Sequence, residues 1–329
     1  MIRVPRLSLW LGVLLAVLAL VSLGVGRVWL SPLRLLGAWR DGGDQLAALI
    51  LVELRLPRTL LAVLVGAALG LSGAVLQGLT RNPLAEPGLL GVSSGAALGA
   101  VIAIHSGLAL LFPLATPLLG LAGALVAALL TLTLGRGEGV LVLVLAGSAV
   151  SGVMLAGTAL ALNMAANPYA AYEISMWLMG SLADKSWDHV LLAAPFLVAG
   201  LLVLGASGRG LDALSLGEAQ AHSLGVDLGR LRLQVLAGTA LAVGAATAVA
   251  GAVGFIGLLA PHLVRPLVGH QPRRVLWPAT LAGAVLLLAA DLGTRLLPFT
   301  RELKLGVLTV LVGTPFFVAL VLRLRRVAP

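Results

Sequence analysis

The sequence predicts an all-α polytopic membrane protein with about ten transmembrane helices. Of its 329 residues, 60% are hydrophobic and 11% are charged, whereas a soluble domain carries about 25% charged residues. The mean hydropathy is +1.07, and long uncharged runs recur along the whole chain. The composition therefore excludes an ordinary soluble core.

The uncharged runs place the predicted helices, because a spanning helix needs about 20 mostly apolar residues. The runs are residues 7–26, 59–80, 87–135, 139–172, 189–208, 233–264 and 305–322. Three of them are long enough for two helices, and residues 275–296 add one more, interrupted only by Asp291 and Arg295. We predict one transmembrane domain over residues 1–329, with helices one to five at about 7–165 and helices six to ten at about 189–323.

The distribution of charge predicts the orientation. The net charge is +9, and most arginines stand singly at the ends of apolar runs, which favours topology and lipid headgroups over nucleic acid. With both termini in the cytoplasm, a modest majority of the 22 Lys and Arg residues face inward. The basic, apolar N-terminus resembles a signal peptide, but its run is long and no convincing small-x-small cleavage site follows it, so we interpret it as the first helix. The absence of cysteine excludes disulfides and thiol metal sites.

An internal repeat is predicted at an offset of 178 residues. Gly66 matches Gly244, Gly73 matches Gly251, and Pro83 matches Pro261. The two copies fall in helices two and seven, which cross in opposite directions because five helices separate them. This indicates an inverted 5+5 repeat, a common transporter architecture, although abundant Gly and Ala also produce chance identities.

Small residues predict close helix packing. Gly66 and Gly70, and likewise Gly91, Gly95 and Gly99, recur four residues apart on one helix face, and such faces let helices approach closely in lipid. The stretch from Gly91 to Gly95 also matches the G-x-S-x-G pattern around Ser93. That motif needs a strand–turn–helix context, so we interpret the match as accidental and catalysis by Ser93 as the minor alternative.

Two absences in the sequence bear on whether ATP hydrolysis or an ion gradient would drive transport by this chain. The only lysines are Lys185 and Lys304, and neither lies in a phosphate-binding G-x-x-x-x-G-K loop. An ion-coupled carrier needs ionisable groups within the membrane, and Asp291 is the one acid well inside an apolar run. Since Arg295 lies one turn further on, an i,i+4 ion pair near the outer face is the simpler interpretation.

Five segments in order carry a resemblance to a known family. They are RLPR at 55–58, RNPLAEPGLLGVSSGA at 81–96, WLMGS at 177–181, LSLGEAQAHSLGV at 214–226 and GFIGLLAPHLVR at 254–265. Together they resemble the FecCD-type permease subunits of ABC importers for iron chelates and vitamin B12, which are type II importer permeases. One departure is Lys304, which stands where the family commonly has proline, so the last helix is expected to start differently and the outer corner to be more positive.

The resemblance implies partners and the residues that meet them. It implies a homodimer, two copies of an ABC ATPase that holds the ATP–Mg, and a periplasmic or lipid-anchored substrate-binding protein; this chain itself binds no cofactor, metal or nucleic acid.

A cytoplasmic coupling loop at about 209–230 would dock on the ATPase, whereas an interfacial amphipathic hairpin is the simpler alternative. The expected coupling residues are Leu214, Gly217, Glu218, Gln220, His222, Leu224 and Gly225. Arg55, Arg58 and Arg295 would meet carboxylates of the binding protein, although each alone is typical of a headgroup anchor.

The translocation path is predicted less directly. The resemblance places a cytoplasmic gate at Asn82, Pro83 and Leu84, which otherwise form a plain turn. Polar or soft side chains that could line a wide path are Ser72, Gln77, Asn163, Met164 and Asn167, and interhelical hydrogen bonds are the alternative for each. Tyr169, Tyr172, Trp177 and Trp187 are explained by an interfacial aromatic belt.

The expected function is import of a metal chelate through the bacterial inner membrane by ATP-driven alternating access. An iron complex, haem or a ferric siderophore, is favoured, with a corrinoid as the alternative. A secondary carrier dependent on Asp291 is the competing class.

Overall fold

The computed structural model describes residues 3–26, 29–30, 45–135, 139–297 and 303–327. Within these ranges the regular structure is helical and contains no strand. The helices are α1 Val4–Gly24, α2 Gln45–Thr80, α3 Val92–His105, α4 Leu108–Leu111, α5 Ala115–Leu134, α6 Val140–Asn163, α7 Pro168–Leu178, α8 Trp187–Gly205, α9 Gly208–Leu214, α10 Glu218–Ser223, α11 Leu228–Ala250, α12 Ile256–Val268, α13 Pro272–Leu296 and α14 Leu305–Val327. We call the end of the bundle at which α1 begins the inner end, following the predicted orientation.

Ten apolar helices account for the predicted membrane domain. Seven of those in the described ranges are long and apolar enough to span a membrane, namely α1, α2, α5, α6, α8, α11 and α13. The helices α3 and α12 and the stretch Leu305–Ala319 of α14 are shorter apolar segments. With 14 residues, α3 is about 21 Å long at 1.5 Å per residue, less than the roughly 30 Å of a hydrocarbon core. The prediction of about ten helices, some of them short, is confirmed.

The second membrane helix is longer than the uncharged run predicts. It begins at Gln45 rather than near Thr59, and residues Ile50–Arg55 form a π-helical turn. Pro57 has no N–H, and its ring would clash with the carbonyl four residues before it in a regular helix. The wider turn, in which the N–H of Leu56 donates to the carbonyl of Leu51, carries the helix past this proline. Because this segment contains charged residues, a search for uncharged runs does not include it in the predicted helix.

The turn after α2 differs from the prediction at its far end. Arg81 adopts a left-handed conformation with φ of 51° and ends the helix as expected. Pro87 then begins only a short 3₁₀ turn, Pro87–Leu90, and α3 starts at Val92 instead of Pro87. The reason is Gly91, whose φ of 77° breaks the helical path between the two elements.

Glycines bring α2 into backbone contact with α12 and α13. A Cβ atom on Gly70 would lie 2.3 Å from the carbonyl oxygen of Ala279, and one on Gly66 would lie 2.5 Å from that of Gly283. The same holds between α3 and α5, where Gly95 faces Gly123. The predicted small-residue packing is confirmed, because each glycine stands where another backbone passes.

The packing is reciprocal between the two halves of the chain. The second membrane helix, α2, packs on the ninth, α13, and the seventh, α11, packs on the fourth, α5. Gly66 lies in the first contact and Gly244 in the second, where its Cβ would meet Ala124. The matched prolines are not equivalent, however, since Pro83 lies in a turn and Pro261 lies inside α12. The repeat therefore holds at the level of packing, and the offset of 178 does not extend to Pro261.

Gly73→Ala is expected to destabilise the bundle. The added Cβ would lie 1.8 Å from the carbonyl oxygen of Gly257 in α12, so two backbones must separate, at a cost of about 1–3 kcal/mol. A lower thermal unfolding temperature of the purified protein in detergent measures this. Gly12→Ala in α1, whose Cβ would meet nothing within 4 Å, is the matched control. Equal unfolding temperatures for the two variants would contradict the close contact.

Candidate functional site

A buried carboxylate organises the outer end of α1, α2 and α13. Asp291 is fully buried, and it accepts hydrogen bonds from Nε of Arg58 at 3.0 Å and 3.2 Å. Arg295 also donates to Asp291 and reaches the carbonyls of Ser22 at 3.1 Å and Val25 at 3.3 Å at the end of α1. The expected Asp291–Arg295 ion pair is confirmed, and sequence reasoning missed that Arg58 shares the same carboxylate from a helix 233 residues away.

This arrangement affects the predicted docking arginines. Arg55 is buried and donates to the carbonyl of Leu23, and 14% of the Arg58 side chain is exposed. The structure thus brings the three predicted residues together, but it directs their guanidinium groups toward α1 and Asp291. Contact with a binding protein stays a prediction, and these side chains have an internal structural role besides it.

Two of the predicted pathway residues lie inside the bundle. Ser72 is fully buried, and its hydroxyl has no hydrogen-bond partner among the described residues. Gln77 is buried between α2 and α12, where its Oε1 accepts from Nη2 of Arg265 at 2.7 Å and its Nε2 donates to the carbonyl of Leu258 at 3.5 Å. In this structure neither residue lines an open path, because helix packing covers Ser72 and both polar atoms of the Gln77 side chain are hydrogen-bonded to α12.

The other three pathway candidates lie together at the outer end of α6. Asn163 and Met164 are exposed there. Asn167 is exposed too, and its side chain accepts from the N–H of Ala170 at 2.9 Å, so that it caps α7. All three side chains are accessible to a partner protein or to a transported molecule. The role of Asn167 that the structure shows is to cap α7.

The predicted gate residues form a hydrogen-bonded turn. Oδ1 of Asn82 accepts from the N–H of Leu84 at 2.9 Å, which is an Asx turn. Asn82 and Pro83 are exposed and Leu84 is half-buried. Glu86, later in the same turn, is half-buried, and burial raises the pKa of its carboxyl group.

Hydroxyl groups from other helices hold the second half of this turn. Oγ1 of Thr131 in α5 donates to the carbonyl of Leu90 at 3.0 Å. Oγ of Ser151 in α6 donates to the carbonyl of Gly88 at 3.2 Å, and it accepts from Ser94 of α3 at 3.2 Å. Sequence reasoning missed all three residues, because a lone Ser or Thr in an apolar run gives no signal of its partner.

The predicted coupling segment forms the two short helices α9 and α10, joined and followed by glycines. Gly217 has a φ of 115° and Gly225 a φ of 82°, conformations that L side chains rarely adopt. Glu218 pairs with Arg232 of α11 at 3.2 Å, and Asp227 caps α11 through the N–H of Arg230. The segment is therefore pinned to the start of α11 at both its middle and its end.

Exposure divides the predicted coupling residues. Gln220, His222, Leu224 and Gly225 are exposed, and Leu224 has 64% of its surface open. Leu214 is 1% exposed and belongs to the core, which corrects its assignment as a contact residue; the exposed neighbour is Leu216, at 63%. Beside α10 lies a shallow depression of about 540 Å³ lined by His222, Gly225, Val226, Asp227, Leu228 and Gly229.

Lys304 lies where its charge acts on the outer loop. The last helix starts directly after it, at Leu305. Burial lowers the pKa of Lys185, with Asp184 opposing and Lys304 adding to the effect. The two lysines of the chain therefore share the outer corner.

The context of Ser93 is helical. It is the second residue of α3, and no strand precedes it in the described part of the chain. A nucleophile elbow needs that strand. The described residues also hold no group of three or more His, Cys, Asp or Glu side chains placed to bind a metal ion.

Comparison with known proteins settles the family. The FecCD transport family matches residues 14–323, nearly the whole chain. The chain belongs to the FecCD transport family. It is 42% identical to the hemin transport system permease protein HmuU of Yersinia pestis, with 98% of this chain and 97% of the relative covered. It is 40% identical to the vitamin B12 import system permease protein BtuC of Escherichia coli O9:H4 (strain HS), with 98% and 96% covered.

A solved structure agrees in fold over the same length. A protein described as a putative metal-chelate type ABC transporter in an inward-facing conformation superposes with a TM-score of 0.85 at 33% identity, covering 97% of this chain and 99% of the other. The FecCD chain described here is thus a multi-pass ABC importer permease, and the resemblance seen in its motifs is confirmed.

Asp291→Asn is expected to lower stability strongly. It leaves the guanidinium groups of Arg58 and Arg295 buried without their shared counter-charge, and breaking a buried ion pair from one side costs about 3–5 kcal/mol. Thermal unfolding in detergent measures this, with Asp188→Asn at an exposed outer position as the control. The double variant Asp291→Asn with Arg58→Gln should recover part of the loss. Unfolding of Asp291→Asn at the wild-type temperature would show that the ion pairs contribute nothing.

The double substitution Leu216→Ser with Leu224→Ser is expected to weaken ATPase association at least tenfold. It removes two exposed apolar side chains from the coupling segment without touching the core. Co-purification with the cognate ATPase subunit and ATPase stimulation provide the measurement. Leu110→Ser, at a still more exposed leucine of the predicted outer face, is the control. Unchanged association would assign the segment to the membrane interface.

Proposed function

We propose that this permease forms the membrane path of a binding-protein-dependent importer that carries a metal chelate into the cytoplasm. The observation that carries the proposal is the 42% identity to HmuU over 98% of the chain, since agreement of this extent includes every membrane helix. A separate ATPase subunit supplies the energy, and two copies of this chain form the path between them.

An iron complex is the proposed cargo, with haem placed before ferric siderophores. The name of HmuU, a hemin permease, supports this choice. Vitamin B12 is the second candidate, because the identity to BtuC is almost as high, at 40%. The difference between the two values is small, so uptake must decide between the cargoes.

The packing of the coupling segment supports ATP-driven alternating access. Leu211 of α9 packs on α2 at Gly78, whose Cβ would lie 3.4 Å from its side chain. Gly78 lies one turn before Arg81, at which the gate turn begins. A force applied to α9 and α10 by an ATPase therefore reaches the base of the gate through one side-chain contact.

The uncovered surface of α6 supports a shared path between two copies. Only 22% of its apolar stretch is buried within the chain, and Asn163 and Met164 are exposed at its outer end. A second copy on this face would enclose those side chains. The fully buried Ser72 and the clamped Gln77 belong to the rigid part of each subunit in this mechanism.

Uptake into proteoliposomes tests the function. The permease is reconstituted with its ATPase and offered labelled haem, a ferric siderophore or cobalamin, each with its candidate binding protein, with and without ATP. ATP-dependent uptake of haem is expected, because of the similarity to HmuU. The Leu216→Ser, Leu224→Ser double variant should lose it, and Leu110→Ser should keep it.

Two outcomes would contradict the proposal at different levels. Uptake of cobalamin alone would correct the cargo and leave the mechanism intact. Uptake that ignores ATP and follows a proton gradient would replace the importer by a secondary carrier.

A further inference from the structure

Five exposed arginines lie at the inner end of α1, α9 and α13. Arg3 and Arg6 lie at the start of α1, Arg209 lies in the first turn of α9, and Arg273 and Arg274 lie in the first turn of α13. We name this set the inner arginine cluster. None of the five has an ion-pair partner among the residues that the structure describes.

Packing brings Arg209 of α9 close to the first turn of α13. A Cβ atom on Gly208 would lie 3.1 Å from the Cγ of Arg273, so the start of α9, including Arg209, rests against the first turn of α13. The nearby acid, Asp212, accepts from the N–H of Arg273 at 2.9 Å and from Gln271 at 2.7 Å. Its carboxylate thereby lies against the first turn of α13 and offsets one of the positive charges of Arg209, Arg273 and Arg274, so this part of the cluster keeps a net positive charge.

The start of α1 lies level with the start of α13. The two helices pack along each other, and at the outer end Arg295 bonds to the carbonyl of Ser22. Counted along each helix at 1.5 Å per residue, Arg3 in α1 and Arg274 in α13 both lie roughly 30 Å from that hydrogen bond, toward the inner end. The arginines of α1 and α13 therefore reach the same membrane face.

Each of these two helices carries an exposed tryptophan one turn deeper than its arginine. Trp10 follows Arg6 by four residues and is 70% exposed, and Trp277 follows Arg273 by four residues and is 60% exposed. Residues four apart share a helix face, so each Arg–Trp pair points outward together. Tryptophan favours the boundary between headgroups and acyl chains, which places the arginines at the level of lipid phosphates.

We propose that the inner arginine cluster is a binding site for an anionic phospholipid of the inner leaflet, with a two-phosphate lipid such as cardiolipin fitting it best. Arg209, Arg273 and Arg274 hold one phosphate region, the arginines of α1 hold the second, and Trp10 and Trp277 flank the acyl chains. Orientation alone requires basic residues in loops; it does not require five free arginines beside two outward tryptophans. Arg209 lies at the start of the coupling segment, just after α8 ends at Gly205, so the lipid site borders the proposed ATPase contact. The site is independent of the cargo and goes beyond the proposed function.

The lipid retained by the permease–ATPase complex tests this site. The complex is exchanged into phosphatidylcholine nanodiscs containing either 5 mol% cardiolipin or 5 mol% phosphatidylglycerol, and bound lipid is counted by native mass spectrometry. An arginine near an anionic lipid surface is worth about fivefold in affinity. The triple variant Arg209→Gln, Arg273→Gln, Arg274→Gln should therefore lower cardiolipin affinity about 100-fold, with a smaller loss for phosphatidylglycerol.

Two controls separate the site from general charge and from folding. The triple Lys variant at the same positions should retain cardiolipin to within a few fold, and Arg230→Gln, at an exposed arginine of the same membrane face, should retain it unchanged. If the triple Gln variant does not fold, Arg6→Gln and Arg274→Gln are measured singly, each with about a fivefold loss expected. Equal lipid retention by all variants would overturn the proposal. Loss of ATPase association without loss of lipid would also overturn it, by assigning the cluster to the ATPase surface.

Discussion

The architecture depends on keeping α2 covered on nearly every side. In its most apolar stretch 83% of the residues are buried, against 11% in α1. Lipid gives apolar helices no hydrophobic reason to associate, so close van der Waals packing must hold them together. Glycines at the contacts with α12 and α13 provide that packing, since a side chain at Gly66, Gly70 or Gly73 would occupy the position of a neighbouring backbone. The fixed α2 then holds Arg58 against Asp291 at one end and leads into the predicted gate turn at the other.

The sequence predicted the features that depend on composition and local chemistry. Apolar runs located ten helices, Arg81 and the following proline located the end of α2, and the spacing of Asp291 and Arg295 predicted their ion pair. Family motifs recur between residues 55 and 265, and the FecCD match over residues 14–323 confirmed the resemblance. Local patterns sufficed for these because each depends on residues within a few turns of one another.

The features that escaped prediction depend on contacts between distant segments. Arg58 reaches Asp291 across 233 residues, and Gln77 reaches Arg265 across 188, so neither partner could be identified from spacing. Ser72 and Gln77 are polar residues in an apolar run, a pattern that fits a path and an interhelical contact equally, and only the fold shows that both are buried within this chain. Leu214 and Leu216 illustrate the same limit, because two leucines two residues apart in one segment have opposite exposure.

The hydroxyl bonds from Thr131 and Ser151 to the predicted gate turn have a consequence for leakage. Each is worth about 1 kcal/mol, so a turn that opened alone would lose about 2 kcal/mol and would be about 30-fold less populated than the closed turn. A movement that carried α5 and α6 along with the turn would keep both bonds. Spontaneous fluctuation of the turn is thereby made rare, while a concerted displacement of the helices meets no such barrier. The stability of the predicted gate turn is, in this respect, a property of α5 and α6 as well as of the loop.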